Sequence, residues 1–159
     1  MLLLYTIFLF KVKKPTMLNF RLYGKIKNSK NITQLFCDIC NFTSNQLQIK
    51  DKIIFDVNFV SKKAIQIINY KYRHVNKPTN VISFANRDNN DLFVPLIGEV
   101  YICIAIAKQE AKKQHHSLHV QICLLFIHGL LHLLGFNHNN AIEKKKMFNL
   151  TDKIMQNVF

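Results

Sequence analysis

From Leu118 to Leu134 the chain is apolar nearly all round, with Ile122, Leu124, Leu125, Phe126, Ile127, Leu130, Leu131 and Leu133 leaving no polar face. A helix of that kind has to lie at the centre of a core, and everything else must be arranged to cover it. Two histidines nevertheless stand inside the run. His128 and His132 are four residues apart, so on a helix their imidazoles project from one face a turn apart. Gly135 follows where a left-handed residue can end the helix, and the reversed chain brings His138 back toward the pair. The pattern is H-x-x-x-H-x-x-G-x-x-H. Buried imidazole nitrogens need partners, and one divalent ion, with zinc the expected metal, supplies a partner to all three rings. Three histidines around an open position is the ligand set of a catalytic ion, since structural zinc is closed by four ligands with cysteine prominent.

The same spacing occurs in the metzincin proteases, whose motif is H-E-x-x-H-x-x-G-x-x-H, with one informative difference. The residue after His128 is Gly129, so the glutamate that acts as general base in those enzymes has no counterpart here. That counts against a metalloprotease-like hydrolase and leaves open chemistry in which the ion carries most of the activation.

The rest of the chain supplies strands and helices in alternation. Residues 18–23, 52–59, 81–84 and 98–103 have strand character, and residues 30–43, 62–75, 105–115, 118–134 and 141–158 have helical spacing. Ser61 has the side chain to cap the second helix and Pro78 to stop it. Arg87 to Asp91 form a polar loop, expected at the surface. The expectation is an α+β fold, a small mixed β-sheet packed with helices around a central metal-binding helix, with a zincin-like arrangement of histidines.

No repeat or linker divides the 159 residues, so residues 17–159 are expected to form a single domain. Residues 1–16 read as a dubious extension, disordered or not translated, because Met17 opens the first strand. The stretch MLLLYTIFLF is far short of the ~20 residues that span a bilayer and lacks preceding basic residues, so no membrane anchoring is expected. Cys37, Cys40, Cys103 and Cys123 fit a reduced, cytoplasmic compartment, with Cys37 and Cys40 packing on a helix rather than binding metal. His115, His116 and His119 lie at a helix junction without ligand spacing and read as solvated. Lys and Arg number 22 against 9 Asp and Glu, a formal charge of +13, and this favours an anionic partner with nucleic acid foremost.

The segment His128-Gly129-Leu130-Leu131-His132-Leu133-Leu134-Gly135-Phe136-Asn137-His138 resembles the H-G-x-L-H-L-x-G-x-D-H signature of the YbeY family of endoribonucleases that mature ribosomal RNA. Asn69 through Phe84, NYKYRHVNKPTNVISF, is similar to that family's N-x-x-Y-R…P-T-D-V-L-S-F block, and Gly98-Glu99-Val100 to its G-D-I strand. The resemblance implies a single-strand-specific, metal-dependent endoribonuclease that acts on the 3′ end of small-subunit ribosomal RNA and in ribosome quality control. Single-stranded RNA and the small ribosomal subunit would be its partners; its oligomeric state is left open. The resemblance also places Arg73 in the active site, where a guanidinium can grip a phosphate and neutralise the charge of a phosphorane. Tyr70, Tyr72 and Phe136 are candidates to stack bases, with core packing as the competing role. This chain departs from the family pattern at Asn80, Glu99 and Asn137, each where aspartate is usual. A ribosome-associated RNA-binding factor that is not catalytic stands as a further alternative.

Overall fold

The structure is a computed structural model that describes residues 17–86 and 96–159. The N-terminal extension and the loop from Arg87 to Asp91 lie outside the described residues. The elements run β1 (Leu18–Tyr23), α1 (Ser29–Gln46), β2 (Ile53–Val60), α2 (Lys62–Arg73), β3 (Val81–Ala85), β4 (Leu96–Cys103), α3 (Ile104–Lys113), α4 (Leu118–Leu133) and α5 (Ala141–Val158). They form the expected α+β fold around a mixed sheet of order β1-β2-β4-β3. β1 and β2 are parallel, as are β2 and β4, and β3 runs antiparallel along the outer edge of β4.

Period-two alternation decides what each face of the sheet carries. Phe20, Phe55, Val57, Phe59, Val100 and Ile102 point to one side, where α1 and α4 cover them and α5 packs across those two helices to complete one large core. Its centre is aromatic: Phe36 and Phe126 stack at 3.8 Å, and Phe20 meets Phe126 edge-on at 5.9 Å. On the opposite side α2 covers a small cluster of Ile65, Ile82 and Cys103, with Phe84 and Tyr101 partly buried against it. Next to that cluster the register aligns Arg21, Asp56 and Glu99 across β1, β2 and β4. Arg21 donates from Nε and Nη2 to the two Asp56 oxygens at 2.5 and 2.8 Å, which accounts for a buried carboxylate on a strand.

α2, α4 and α5 start on side-chain caps. Ser61 Oγ accepts from the Ala64 amide, Ser117 Oγ from that of Val120, and Asn140 Oδ1 from those of Ile142 and Glu143. α2 ends before Pro78. His74 takes the left-handed conformation with φ 57° and donates its amide to the Tyr70 carbonyl, so Arg73 is the last helical residue and the expected two further residues are not helical. The turn that follows is tied back onto the helix by Asn69, which donates to the Lys77 carbonyl at 2.7 Å, and by Gln66, which donates to Asn76 Oδ1 at 2.9 Å.

Cys37 and Cys40 are buried on α1, and burial raises both thiols above their ordinary range, as core packing requires. Cys123 is pushed up to about 12 by burial. Among the described residues no single helix is long and apolar enough to cross a membrane.

Candidate metal centre

α4 is held against the sheet by Gly129. A Cβ built there would lie 2.5 Å from Val100 Cγ1, so the helix backbone rests directly on β4. This close approach turns Gly129 toward the core and leaves its neighbour His128 on the outward side of the same helix. A glutamate at 129 would run into Val100, so the metzincin base is excluded sterically as well as by identity.

At the C-terminal end of α4, Gly135 adopts φ 90° with open space around it. Its amide donates to the His132 carbonyl at 3.1 Å, and the Phe136 amide to the Leu131 carbonyl at 2.9 Å, which closes the helix and reverses the chain. His138 is thereby returned to His128 and His132. Ring centroids are 4.6 Å apart for His128 and His132, 5.1 Å for His132 and His138, and 5.6 Å for His128 and His138. The Nε2 atoms of His128 and His132 approach to 3.1 Å, and one nitrogen from each of the three rings lies within 4.8 Å of the others. Zinc–nitrogen bonds of 2.0–2.1 Å in a tetrahedron set the ligand atoms about 3.3 Å apart. The three rings therefore need only small side-chain rotations to hold one ion. His138 is exposed and the other two are half-buried, so the fourth position faces solvent.

The electrostatics suit neutral ligands. Burial, then repulsion from His132, His138 and Arg73, lowers the His128 pKa to about 4. Burial and His138 also lower His132, against the opposing pull of the Phe136 carbonyl and the Asn137 side chain. Asn137 sits beside that ligand and donates to the Gly135 carbonyl at 3.4 Å. An amide in place of the usual aspartate therefore keeps hydrogen-bonding contact with the turn and gives up a negative charge next to His132.

Arg73 stands at the exposed end of α2, on the other side of the sheet edge, and its positive charge registers at both His128 and His132. No carboxylate pairs with it among the described residues. A groove of about 400 Å³ runs beside His132, lined also by Ile53, Ala85 at the end of β3, Asn86, Ile97 and residues 133–135.

Other residues singled out from the sequence fall elsewhere. His115 is exposed, and the His116 ring hydrogen-bonds locally to Gln114 and Ser117. Glu99 accepts from the Tyr101 hydroxyl at 2.7 Å on the α2 face of the sheet. Asn80 donates its amide to Glu110 at 3.0 and 3.2 Å, and Gln121 donates to the same carboxylate at 2.7 Å. Aspartate at 80 would set two like charges together here, so Asn80 and Glu110 suit each other. Sequence spacing gave no hint of this network, nor of the clamp made by Asn69, because both join residues whose contact depends on the tertiary fold.

Residues 20–158 match the family described as Endoribonuclease YbeY. This chain belongs to the YbeY endoribonuclease family. Endoribonuclease YbeY of Ureaplasma parvum serovar 3 is 43% identical over 131 residues, 82% of this chain and 84% of the relative. The homologue from Staphylococcus carnosus is 37% identical over 125 residues, covering 76% and 82% of the two chains. The solution structure of TM1509 from Thermotoga maritima superimposes with a TM-score of 0.63 at 25% identity, covering 89% of this chain and 88% of the other. Membership makes the chain a nuclease with RNA as its substrate.

Proposed function

We propose that this YbeY-family chain is a metal-dependent endoribonuclease specific for single strands, acting in the cytoplasm on the 3′ end of small-subunit ribosomal RNA and in ribosome quality control, in company with the small ribosomal subunit. The observation that carries the reading is the convergence of three imidazoles on one spot beside an open groove, with the positive charge of Arg73 felt at the cluster.

His128, His132 and His138 would hold one divalent ion, with zinc the expected metal. Such an ion supplies Lewis acidity, either toward an attacking water or toward a phosphoryl oxygen. Burial keeps His128 and His132 neutral and ready to ligate. The Phe136 carbonyl and Asn137 orient His132, the support that ligating histidines generally require. Arg73 supplies what neutral histidines lack, a fixed positive fork that grips the phosphate through two N–H donors and balances its growing charge. Lysines of α2, α3 and α5 add a diffuse attraction for the RNA backbone that weakens with salt. A single strand can bend its backbone into the groove, whereas a duplex holds its phosphates on a stiff cylinder.

The test is cleavage of matched single- and double-stranded RNA by the full chain, beside Arg73→Ala, His132→Ala and a chelated sample. Cutting of the single strand alone, abolished by chelation and by both substitutions, is the expected result. Folded, metal-loaded protein that cuts no RNA would overturn autonomous catalysis and leave a ribosome-associated binding role.

A further inference from the structure

The three aromatic candidates for base stacking separate by environment. Phe136 is half-buried and packs against the main core. Tyr70 is 59% exposed, and none of the aromatic contacts among the described residues involves it. Tyr72 combines support with exposure. Its ring lies 4.7 Å from that of Phe84 at 53°, Phe84 in turn meets Tyr101 edge-on at 6.0 Å, and yet Tyr72 remains 56% exposed. Lys71 Nζ lies over the Tyr72 ring, 5.0 Å from its centre, so a base arriving on that face displaces only the end of an exposed, flexible side chain. A ring already seated on a second ring loses little freedom when a base settles on its open side, and a nearby ammonium suits the phosphate that accompanies the base.

Its position is as telling as its environment. Tyr72 immediately precedes Arg73, the residue proposed to grip the phosphate. Phe84 immediately precedes Ala85 and Asn86, which line the groove beside His132. Among the described residues β3 is the edge strand of the sheet. α4, which carries His128 and His132, also packs against β3, so the supported ring and the histidine cluster flank the same strand.

We propose that Tyr72 is the base-stacking residue of the RNA site: it receives the base of a nucleotide adjacent to the scissile phosphate as the strand crosses the β3 edge from the histidine cluster. This inference rests on the nuclease reading of the site. It gives the single-strand preference a physical origin besides backbone bending, because a paired base is already stacked within its own helix and cannot reach the ring.

The experiment uses zinc-loaded full chain and a single-stranded RNA in which one abasic nucleotide is walked across the cleavage site. In the wild type one abasic position raises KM roughly tenfold, within the range that base–aromatic stacking carries, while kcat holds. Tyr72→Leu raises KM similarly on intact RNA and no longer responds to the abasic change at that position. Tyr72→Phe behaves as wild type, and so does Tyr70→Leu. A Tyr72→Leu protein that keeps the abasic penalty, or that loses kcat alone, overturns the assignment. A second measurement is independent of cleavage: 2-aminopurine walked along the same strand is quenched on binding at one position in wild type and at none in Tyr72→Leu. Equal quenching in both proteins, or none at any position in the wild type, overturns stacking even where RNA is bound; absence of cutting with quenching intact counts against the nuclease and not against Tyr72.

Discussion

The two faces of the sheet are built on different principles. The face under α1, α4 and α5 is apolar, and its centre is a stack of phenylalanines with no exposed surface at Phe36, Phe55 and Phe126. The face under α2 has three fully buried residues, and beyond them relies on paired polar groups: Arg21 with Asp56, and Tyr101 with Glu99. The proposed metal ligands His128 and His132 belong to the first face and inherit the rigidity of its central helix. Arg73 belongs to the second, at the end of a helix held by a much smaller cluster. The proposed site would thus join a stiff half that fixes the ligands to a lighter half that presents a charge.

The sharpest way to break this contrast is to remove one side-chain group from each face. Phe126→Ala is expected to cost about 3–5 kcal/mol, the usual range for deleting a buried aromatic ring, and to weaken metal binding, since Phe126 lies two residues before His128. Tyr101→Phe, which deletes only the hydroxyl that donates to Glu99, should cost about 0.5–1.5 kcal/mol. Urea denaturation midpoints measure both. Similar losses would mean that the polar face is as critical to stability as the apolar one.

Arg73→Ala comes next, and separates function from stability. By analogy with the loss of one donor to a developing anion, kcat should fall about 10²- to 10³-fold. Its exposed position at a helix end keeps the change in stability within about 0.5 kcal/mol. Arg73→Lys should recover only part of the rate, because a point charge does not reproduce a two-pronged grip. An Arg73→Ala enzyme with undiminished kcat would remove Arg73 from the site.

Gly129 marks where the stiff half touches the sheet. Gly129→Ala forces a methyl into Val100 and is expected to cost about 1–3 kcal/mol, the range for overpacking a filled core. The double variant Gly129→Ala with Val100→Ala should be less destabilised than the sum of its parts, because the second change makes room for the first. Strict additivity in a double-mutant cycle would mean that the helix does not rest on Val100.

The same division governs how far the sequence discloses the molecule. The apolar run of α4, the spacing of His128, His132 and His138, and Gly135 are local patterns, and local patterns were enough to foresee the α+β arrangement and the histidine cluster. What stayed hidden depends on partners far apart in the chain. Nothing around Glu110 announces that Asn80 and Gln121 will converge on it, and nothing in NYKYRHVNKPTN says that Asn69 clamps the turn or that His74, rather than Pro78, ends the helix. Pro78 forbids helix at its own position but does not require one to reach it, and a single left-handed residue had already stopped the chain. Among the aromatics, side-chain type could not rank Tyr70 against Tyr72; only the placement of Phe84 does so.

The smallest effect expected is on the pH dependence of the metal-free protein, and it tests whether the stiff half buries its histidines as tightly as the geometry indicates. His128 titrates at about 4 in the folded chain against an ordinary 6.5, chiefly because of burial, and His132 is shifted the same way. Between these values the unfolded chain binds a proton that the folded chain does not, so folding stability is lost as pH falls from about 6.5 toward about 4. Melting temperatures of chelated wild type should therefore decline between pH 7 and 5, and those of His128→Gln should decline less. The remaining histidines are present in both proteins, so the comparison isolates His128. Parallel curves for the two would show that His128 is as well solvated as a surface histidine, and that the rigid face ends one helical turn short of the site.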